Sequence, residues 1–383
     1  MAFRILHVAN FAHRTKGAGF AGVQFKLTNG LIRAGHHVLA FSDRDAARAA
    51  TPFRSRKVGT RGANRALLDV AAAFRPDIVL FGHADTIAAE TLGQIRQLVP
   101  GVRLAQWNVD PLFDVENLTR IRAKLGDVDW TFVSTAGPML SSLAGRRVAF
   151  LPNPVDPSIE RGRGFEARDR PYDVFYAVGS AAIGRNHCGI DSTAAAIAGR
   201  LRTRLAGVSF LLPGIEGPHV EGADFDAAMV SAKMGLNISR RNDVPLYSSD
   251  RFAHLAGNGL LVFIDRATGY GDLFGEDELA FYSTEDELAA KIQRFAGDDP
   301  ARMRMAHRGW LAYHAMFGAT RVARYMLEVM EERADPSAFA WRPEGRVVPQ
   351  AGLEPASLAA VDFESTASTN SATGAPGGSE AGV

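Results

Sequence analysis

Residues 246–288, LYSSDRFAHLAGNGLLVFIDRATGYGDLFGEDELAFYSTEDEL, hold the densest set of side chains with chemistry to offer. Arg251 carries a planar guanidinium with several donors, suited to neutralising a diphosphate. Phe252, Leu255 and Ala256 recur at helical spacing around it, and Gly257 and Gly259 stop that helix and let the chain reverse. The apolar run 260–264 is too short for a typical helix and suits a strand buried on both faces of a parallel sheet. Ligands of such sheets bind beyond the carboxyl ends of the strands. Asp265 and the loop through Glu278, with Asp272, Glu276 and Asp277, are therefore expected to line a cleft, where helix N-termini offer free N–H groups to phosphates.

A second group lies earlier in the chain. His83 follows the apolar run 77–82, and a histidine there either deprotonates a hydroxyl near neutral pH, binds hydroxyls, or simply ends the strand. Asp110, in QWNVDPLF, also ends a strand and is the alternative base, or else a turn aspartate before Pro111. Gly17, Gly19 and Gly22 form a G-x-G-x-x-G pattern that can bring backbone amides close to a ligand. The pattern starts well past the first strand, and no acidic residue ends the second strand in the ribose position, since Asp43 comes early. A nicotinamide enzyme is therefore disfavoured.

These residues need elements to position them. Apolar runs and helical periodicity predict strand 3–8, helix 22–35, strand 37–41, helix 61–74, strand 77–82, helix 87–99, strand 102–107, helix 115–124, strand 130–133 and helix 136–144. This alternation indicates a doubly wound parallel α/β sheet. The stretch VAFLPNPVDP (148–157) ends in a proline-rich turn and reads as a domain connection. A second βα series follows: strand 173–178, helix 191–204, strand 207–212, strand 234–239, the opening segment, and three helices near 284–296, 300–316 and 318–333. Two domains are expected, 1–152 and 153–335. Residues 345–383 are rich in Ala, Gly, Ser, Thr, Pro and Glu and are expected to be a disordered tail.

Composition excludes several classes. The 383 residues suffice for two ordinary domains, and 46% hydrophobic with 22% charged residues is normal for a globular protein. The N-terminal apolar run is too short for a signal peptide and no stretch approaches a membrane span, so a cytoplasmic location is expected. The lone Cys188 excludes an internal disulfide framework and a cysteine zinc site. No metal site is evident. The one DxD arrangement, Asp43-Arg44-Asp45, lies in the N-terminal half. Residues 1–156 hold 20 Lys+Arg against 12 Asp+Glu, about +8, and the remainder holds 23 against 30, about −7. The basic half invites an anionic membrane surface or an acidic glycan, unless its charges are merely scattered on a solvated face.

Four segments together carry a resemblance. LTNGLIRAGHHVLAFS (27–42), RPDIVLFGH (75–83), LPNPVD (151–156) and HLAGNGLLV (254–262) resemble, in order and spacing, signature segments of the GT-B fold glycosyltransferases. SSDRFAHLAGNGLLV, LFGEDELAFYSTEDELAAKI and ARMRMAHRGWLAYHAMF resemble the group-1, family-4-like branch that includes the CgeB-like proteins. The resemblance implies two Rossmann-like domains facing across a cleft. It implies transfer of a sugar from a UDP- or GDP-linked donor to a surface polysaccharide, lipopolysaccharide or other glycoconjugate, with no cofactor and no bound metal. Peripheral attachment to the inner membrane would run through the basic half.

Taken with the residue chemistry above, this reading places His83, Asp110 and Glu276 in catalysis. It assigns Arg185, Arg240, Arg251, His254, Asn258, Gly259 and Glu278 to the donor, and Gly17, Gly19 and Gly22 to an acceptor-side loop. One position departs from the family: His254 stands where a glutamate binds ribose hydroxyls in related enzymes, and histidine is no fixed anionic acceptor at neutral pH. That departure keeps a non-catalytic binding or assembly protein open beside the transferase, with a sugar-nucleotide epimerase or phosphorylase as a third reading.

Overall fold

The apolar runs form two parallel sheets in the computed structural model, which describes residues 2–13, 19–143, 147–333 and 338–341. The first sheet contains β1 (Arg4–Ala9), β2 (His37–Ser42), β3 (Ile78–Gly82), β4 (Arg103–Asn108), β5 (Trp130–Val133) and β6 (Val148–Phe150), in the order β2-β1-β3-β4-β5-β6. The second contains β7 (Tyr172–Phe175), β10 (Phe210–Leu211), β11 (Ala232–Asn237), β12 (Leu261–Asp265) and β13 (Ala280–Tyr282), in the order β10-β7-β11-β12-β13. Between β7 and β10 the hairpin β8 (Gly184–His187) and β9 (Ile190–Thr193) stands apart from both.

Each order reverses direction once, between β1 and β3 in the first sheet and between β7 and β11 in the second. Strand connections leave to opposite faces at such a point and open a crevice beyond the strand ends. The segments placed there are the loop after β1, His83 after β3, and the loops after β7 and β11.

Helices cover both sheets: α1 (Val23–Arg33), α2 (Asp43–Ala49), α3 (Thr60–Phe74), α4 (Ala89–Leu98), α5 (Val115–Leu125) and the single turn α6 (Pro138–Ser141) in the first half, then α7 (Ala194–Arg204), α8 (Gly222–Val230), α9 (Arg251–Gly257), α10 (Glu285–Gly297), α11 (Asp299–Phe317) and α12 (Ala319–Met330). α12 buries Val322, Tyr325, Met326, Val329 and Met330. It crosses back to the first sheet, where the Tyr325 hydroxyl donates to the Phe150 carbonyl at 2.8 Å. It packs so closely on α1 that a Cβ at Gly30 would lie 2.2 Å from the Ala319 carbonyl oxygen. The chain after residue 153 therefore contributes to both layers, within one compact unit, Met1–Val348.

Most predicted elements fall within two residues of those observed. The helix expected over 191–204 is instead a strand and a helix: β8 turns at Cys188 and Gly189, both at positive φ, and Thr193 ends β9 and caps α7 by accepting from the Ala196 N–H. Helix 136–144 shrinks to α6. The helices α2 and α8 and the strand β13 were not anticipated, being short elements whose burial comes from their neighbours. The DxD aspartates belong to α2. Asp43 is buried and accepts from the Thr86 hydroxyl at 2.8 Å, and Asp45 accepts from Ser42. The expected tail, 345–383, lies outside the described residues. Among the described residues no helix is long and apolar enough to cross a membrane, and no three His, Cys, Asp or Glu side chains converge to hold a metal ion.

Candidate functional site

Arg251 opens α9, and its guanidinium spans the switch point of the second sheet. Nε donates to the Ala177 carbonyl at 2.9 Å, beyond β7, and NH1 to the Ile238 carbonyl at 3.2 Å, beyond β11. The group lies over the Tyr176 ring, 5.2 Å from its centroid. Burial and the nearby charge of Arg185 lower its pKa, against Tyr176 and Tyr247. Arg185, on β8, is buried with its Nε unpartnered. Among the described residues neither arginine has a carboxylate within ion-pairing distance. A buried Arg185 and a half-buried Arg251, with no carboxylate in reach among the described residues, form a receptor for an anion, because a cation withdrawn from water is otherwise destabilising.

Tyr247 stands among the groups the sequence singled out from both halves. Burial pushes its phenol up to about 12, with Arg240, Arg185 and Arg251 pulling down and Asp110 pushing up. Its ring meets Phe113 edge-on at 5.1 Å. Arg240 donates to Asp114 Oδ2 at 2.8 Å and covers Phe113, tying the second half to the first. Asp114 also caps α5 through the Asn117 N–H. Arg185, Arg240, Arg241 and Phe113 line one cavity of about 440 Å³. Sequence reasoning missed Tyr247 and Asp114. Tyr247 lies in the opening segment, but only folding places it beside Asp110.

His83 and Asp110, read as alternative bases, lie together. His83 Nδ1 is 3.6 Å from Asp110 Oδ2, and Arg120 approaches the same oxygen at 3.5 Å. The imidazole meets Trp107 edge-on, and its backbone sits at φ 57, a left-handed conformation rare for a side-chain-bearing residue and typical of functional positions. Burial lowers its pKa, with Asp110 opposing and Arg120 and Arg44 adding to the effect. A neutral imidazole at pH 7 is free to accept a proton.

His254 has a different part. Nδ1 lies 3.0 Å from Glu160 Oε1 and Nε2 lies 3.1 Å from Asp250 Oδ2, so both ring nitrogens are occupied by carboxylates. Lys26, fully buried on α1, pairs with the same two residues at 2.7 and 3.1 Å. Burial and Lys26 would lower the imidazole pKa, but Asp250 and Glu160 outweigh them and raise it to about 9. His254 is thus a charged strut between α1, the connection and α9. Both ring nitrogens, read from the sequence as contacts for a nucleotide hydroxyl, are thus taken up by carboxylates of this chain. The ring nevertheless borders a cavity of about 650 Å³ with Asn10, Gly19, Gly22, Phe225 and Asp226. Two of the predicted loop glycines therefore line a cavity between the halves, whereas Gly17 lies outside the described residues.

Four other candidates serve the local structure. Asn258 donates to the His254 carbonyl and accepts from the Gly162 N–H at 2.7 Å, and Gly259, at φ +74, packs on Phe165. Both hold the connection onto α9. Glu276 is more than half exposed and pairs with Arg266, and Glu278 turns back to accept from the Gly275 N–H at 2.8 Å. In this loop Glu276 is thus paired with Arg266 and Asp277 with Arg308, while Glu278 is met by a backbone N–H.

The class of fold follows from the comparisons. Residues 192–328 match the sequence model of a family described as glycosyl transferase-like. The glycosyltransferase AviGT4, involved in avilamycin A biosynthesis, is 15% identical with a TM-score of 0.52, over 86% of this chain and 97% of its own. Anabaena Alr3699/HepE, solved with UDP and glucose, is 12% identical with a TM-score of 0.52, over 86% and 100%. The E. coli trehalose-6-phosphate protein bound with UDP-2-fluoro glucose is 11% identical with a TM-score of 0.51, over 91% and 100%. No curated protein matches the chain. The fold is the two-sheet α/β fold of the GT-B glycosyltransferases.

Proposed function

We propose that this chain is a glycosyltransferase that moves a hexose-like sugar from a UDP- or GDP-linked donor to a glycan or lipid-linked acceptor of a surface polysaccharide, lipopolysaccharide or other glycoconjugate. The observation that carries this reading is the pair Arg185 and Arg251, two guanidiniums without carboxylate partners among the described residues, near the switch point of the second sheet. They supply positive charge where the leaving diphosphate accumulates negative charge, the largest single term in such a reaction, and they do so without calling on a metal. The complex of Anabaena HepE with UDP and glucose supports the donor class.

In this reading the acceptor hydroxyl lies against His83. Its oxygen bonds to the anomeric carbon, the bond from that carbon to the phosphate oxygen breaks, and the electron pair leaves with the nucleoside diphosphate. The hydroxyl proton passes to the free nitrogen of His83, and Asp110 stabilises the imidazolium that forms. The work takes place at a cytoplasmic membrane face, with the basic half toward the lipid.

Titration calorimetry with UDP, GDP and their glucose conjugates tests the donor site. The expected result is binding of at least one of them, weakened at least tenfold in Arg251→Ala with the fold retained. Equal binding by Arg251→Ala removes the assignment. A second reading, a binding or assembly protein that has lost turnover, is favoured by His254, whose nitrogens are both occupied at the position of the family glutamate. Donor binding without transfer to any acceptor or to water decides for it.

A further inference from the structure

Residues 51–61, TPFRSRKVGTR, run from the end of α2 into the first turn of α3 and carry Arg54, Arg56, Lys57 and Arg61 with no acidic residue. Phe53 is 92% exposed and Val58 73%, the former the most exposed large apolar side chain described. The loop is nonetheless a built turn. The Arg54 N–H donates to the Thr51 carbonyl, the Ser55 N–H to the Thr51 hydroxyl and the Gly59 N–H to the Ser55 carbonyl. A Cβ at Gly59 would meet the Ala47 carbonyl oxygen at 1.7 Å, so the loop is seated hard against α2. Its hydrogen bonds hold Phe53 outward, where water gives it no favourable contact.

The charges are arranged to match. Arg44 and Arg56 both grip Asp85, leaving exposed Arg54, Lys57 and Arg61 with no carboxylate in ion-pairing distance among the described residues. Asp85 is two residues past His83. Asn64 of α3 donates to the Thr86 carbonyl and accepts from the Ala88 N–H. The loop is thereby anchored to the segment that carries His83.

We propose that residues 51–61 dock on an anionic phospholipid surface, with Phe53 and Val58 entering the headgroup boundary and Arg54, Lys57 and Arg61 meeting lipid phosphates. Apolar side chains between cations are what such an interface selects: insertion and charge attraction each contribute part of the binding, and neither suffices alone. The same contact brings the His83 end of the first sheet to the lipid, where a lipid-linked acceptor would be reached laterally. This last step rests on the transfer reading, whereas the docking itself does not.

The test is sedimentation of the full chain with vesicles of phosphatidylcholine alone or mixed with phosphatidylglycerol, at low and raised salt, with soluble polygalacturonate as competitor. Binding is expected only to the anionic vesicles. Partitioning should fall roughly a hundredfold in Arg54→Glu/Lys57→Glu/Arg61→Glu, from the loss of at least two to three surface cations. Phe53→Ser/Val58→Ser should bind at least fivefold more weakly, with UDP titration unchanged. No binding to anionic vesicles, equal binding by either variant, or complete displacement by polygalacturonate with the apolar variant unaffected would each overturn the docking assignment. Donor titration on the same samples reports on the transfer reading separately.

Discussion

The Nζ of Lys26 lies 2.7 Å from Oε1 of Glu160, and neither side chain is exposed. Lys26 belongs to α1 under the first sheet and Glu160 to the connection between the sheets. Together with the partly exposed Asp250 and His254 they form a largely buried group of two cations and two anions that balance. Burying ions is tolerable only when each keeps its partner.

The first prediction concerns that balance. Lys26→Met leaves two carboxylates against one imidazolium and is expected to lower stability by about 3–5 kcal/mol in urea unfolding. His254→Glu, which restores the glutamate of related enzymes, should also destabilise by several kcal/mol, because it places three carboxylates around one lysine. A stable His254→Glu variant would show that the group is not a strut.

Stability should also follow pH through His254. Its folded pKa, about 9, is above the ordinary 6.5, so its contribution is complete below pH 6.5 and fades as pH rises through about 9. The loss over that window is expected to be at most about 3 kcal/mol. It should be absent in His254→Gln, whose urea midpoint would be flat across the same range. An equal slope in both proteins would assign the dependence elsewhere.

Turnover should depend on His83 as a neutral base. Burial lowers its pKa, so the rate is expected to hold at neutral pH and fall on an acid limb below the usual imidazole value. Asp110 raises that pKa, and Asp110→Asn should move the limb to still lower pH. His83→Ala should reduce kcat by about 10²–10⁴ with donor binding retained. Unchanged kcat would remove His83 from proton transfer.

The contact of Arg240 with Asp114 crosses between the halves, and it holds one of the arginines that line the second-sheet cavity. Asp114→Asn keeps a competent cap on α5 and removes the charge, so thermal stability should change by less than about 1 kcal/mol. Release of Arg240 should tighten UDP binding severalfold in calorimetry. Unaltered affinity would mean that Arg240 stays where it is when nucleotide binds.

The legible part of the fold was what depends on local pattern. Apolar runs such as 78–82 and 260–264 and the glycine stops behind α9 gave both sheets nearly in full, because a strand buried on two faces and a helix of period 3.6 leave their mark in the chain itself. The hairpin β8–β9 and the helices α2 and α8 left none. Their residues show no apolar periodicity, several of the buried ones being polar, and they exist through contacts with distant segments, as β8 does where its Asn186 N–H donates to the Arg240 carbonyl.

The site divided in the same way. Residue chemistry offered Arg251, His83 and Asp110 at element ends, and the family resemblance added Arg185. The sequence determined two α/β sheets, their strand ends and the side chains offered there. Only the tertiary structure decided which of those side chains are left without partners. Glu276 found Arg266 and His254 found Glu160 and Asp250, whereas Arg185 and Arg251 found no carboxylate among the described residues, because pairing depends on which distant charges the folded chain brings within a few ångströms.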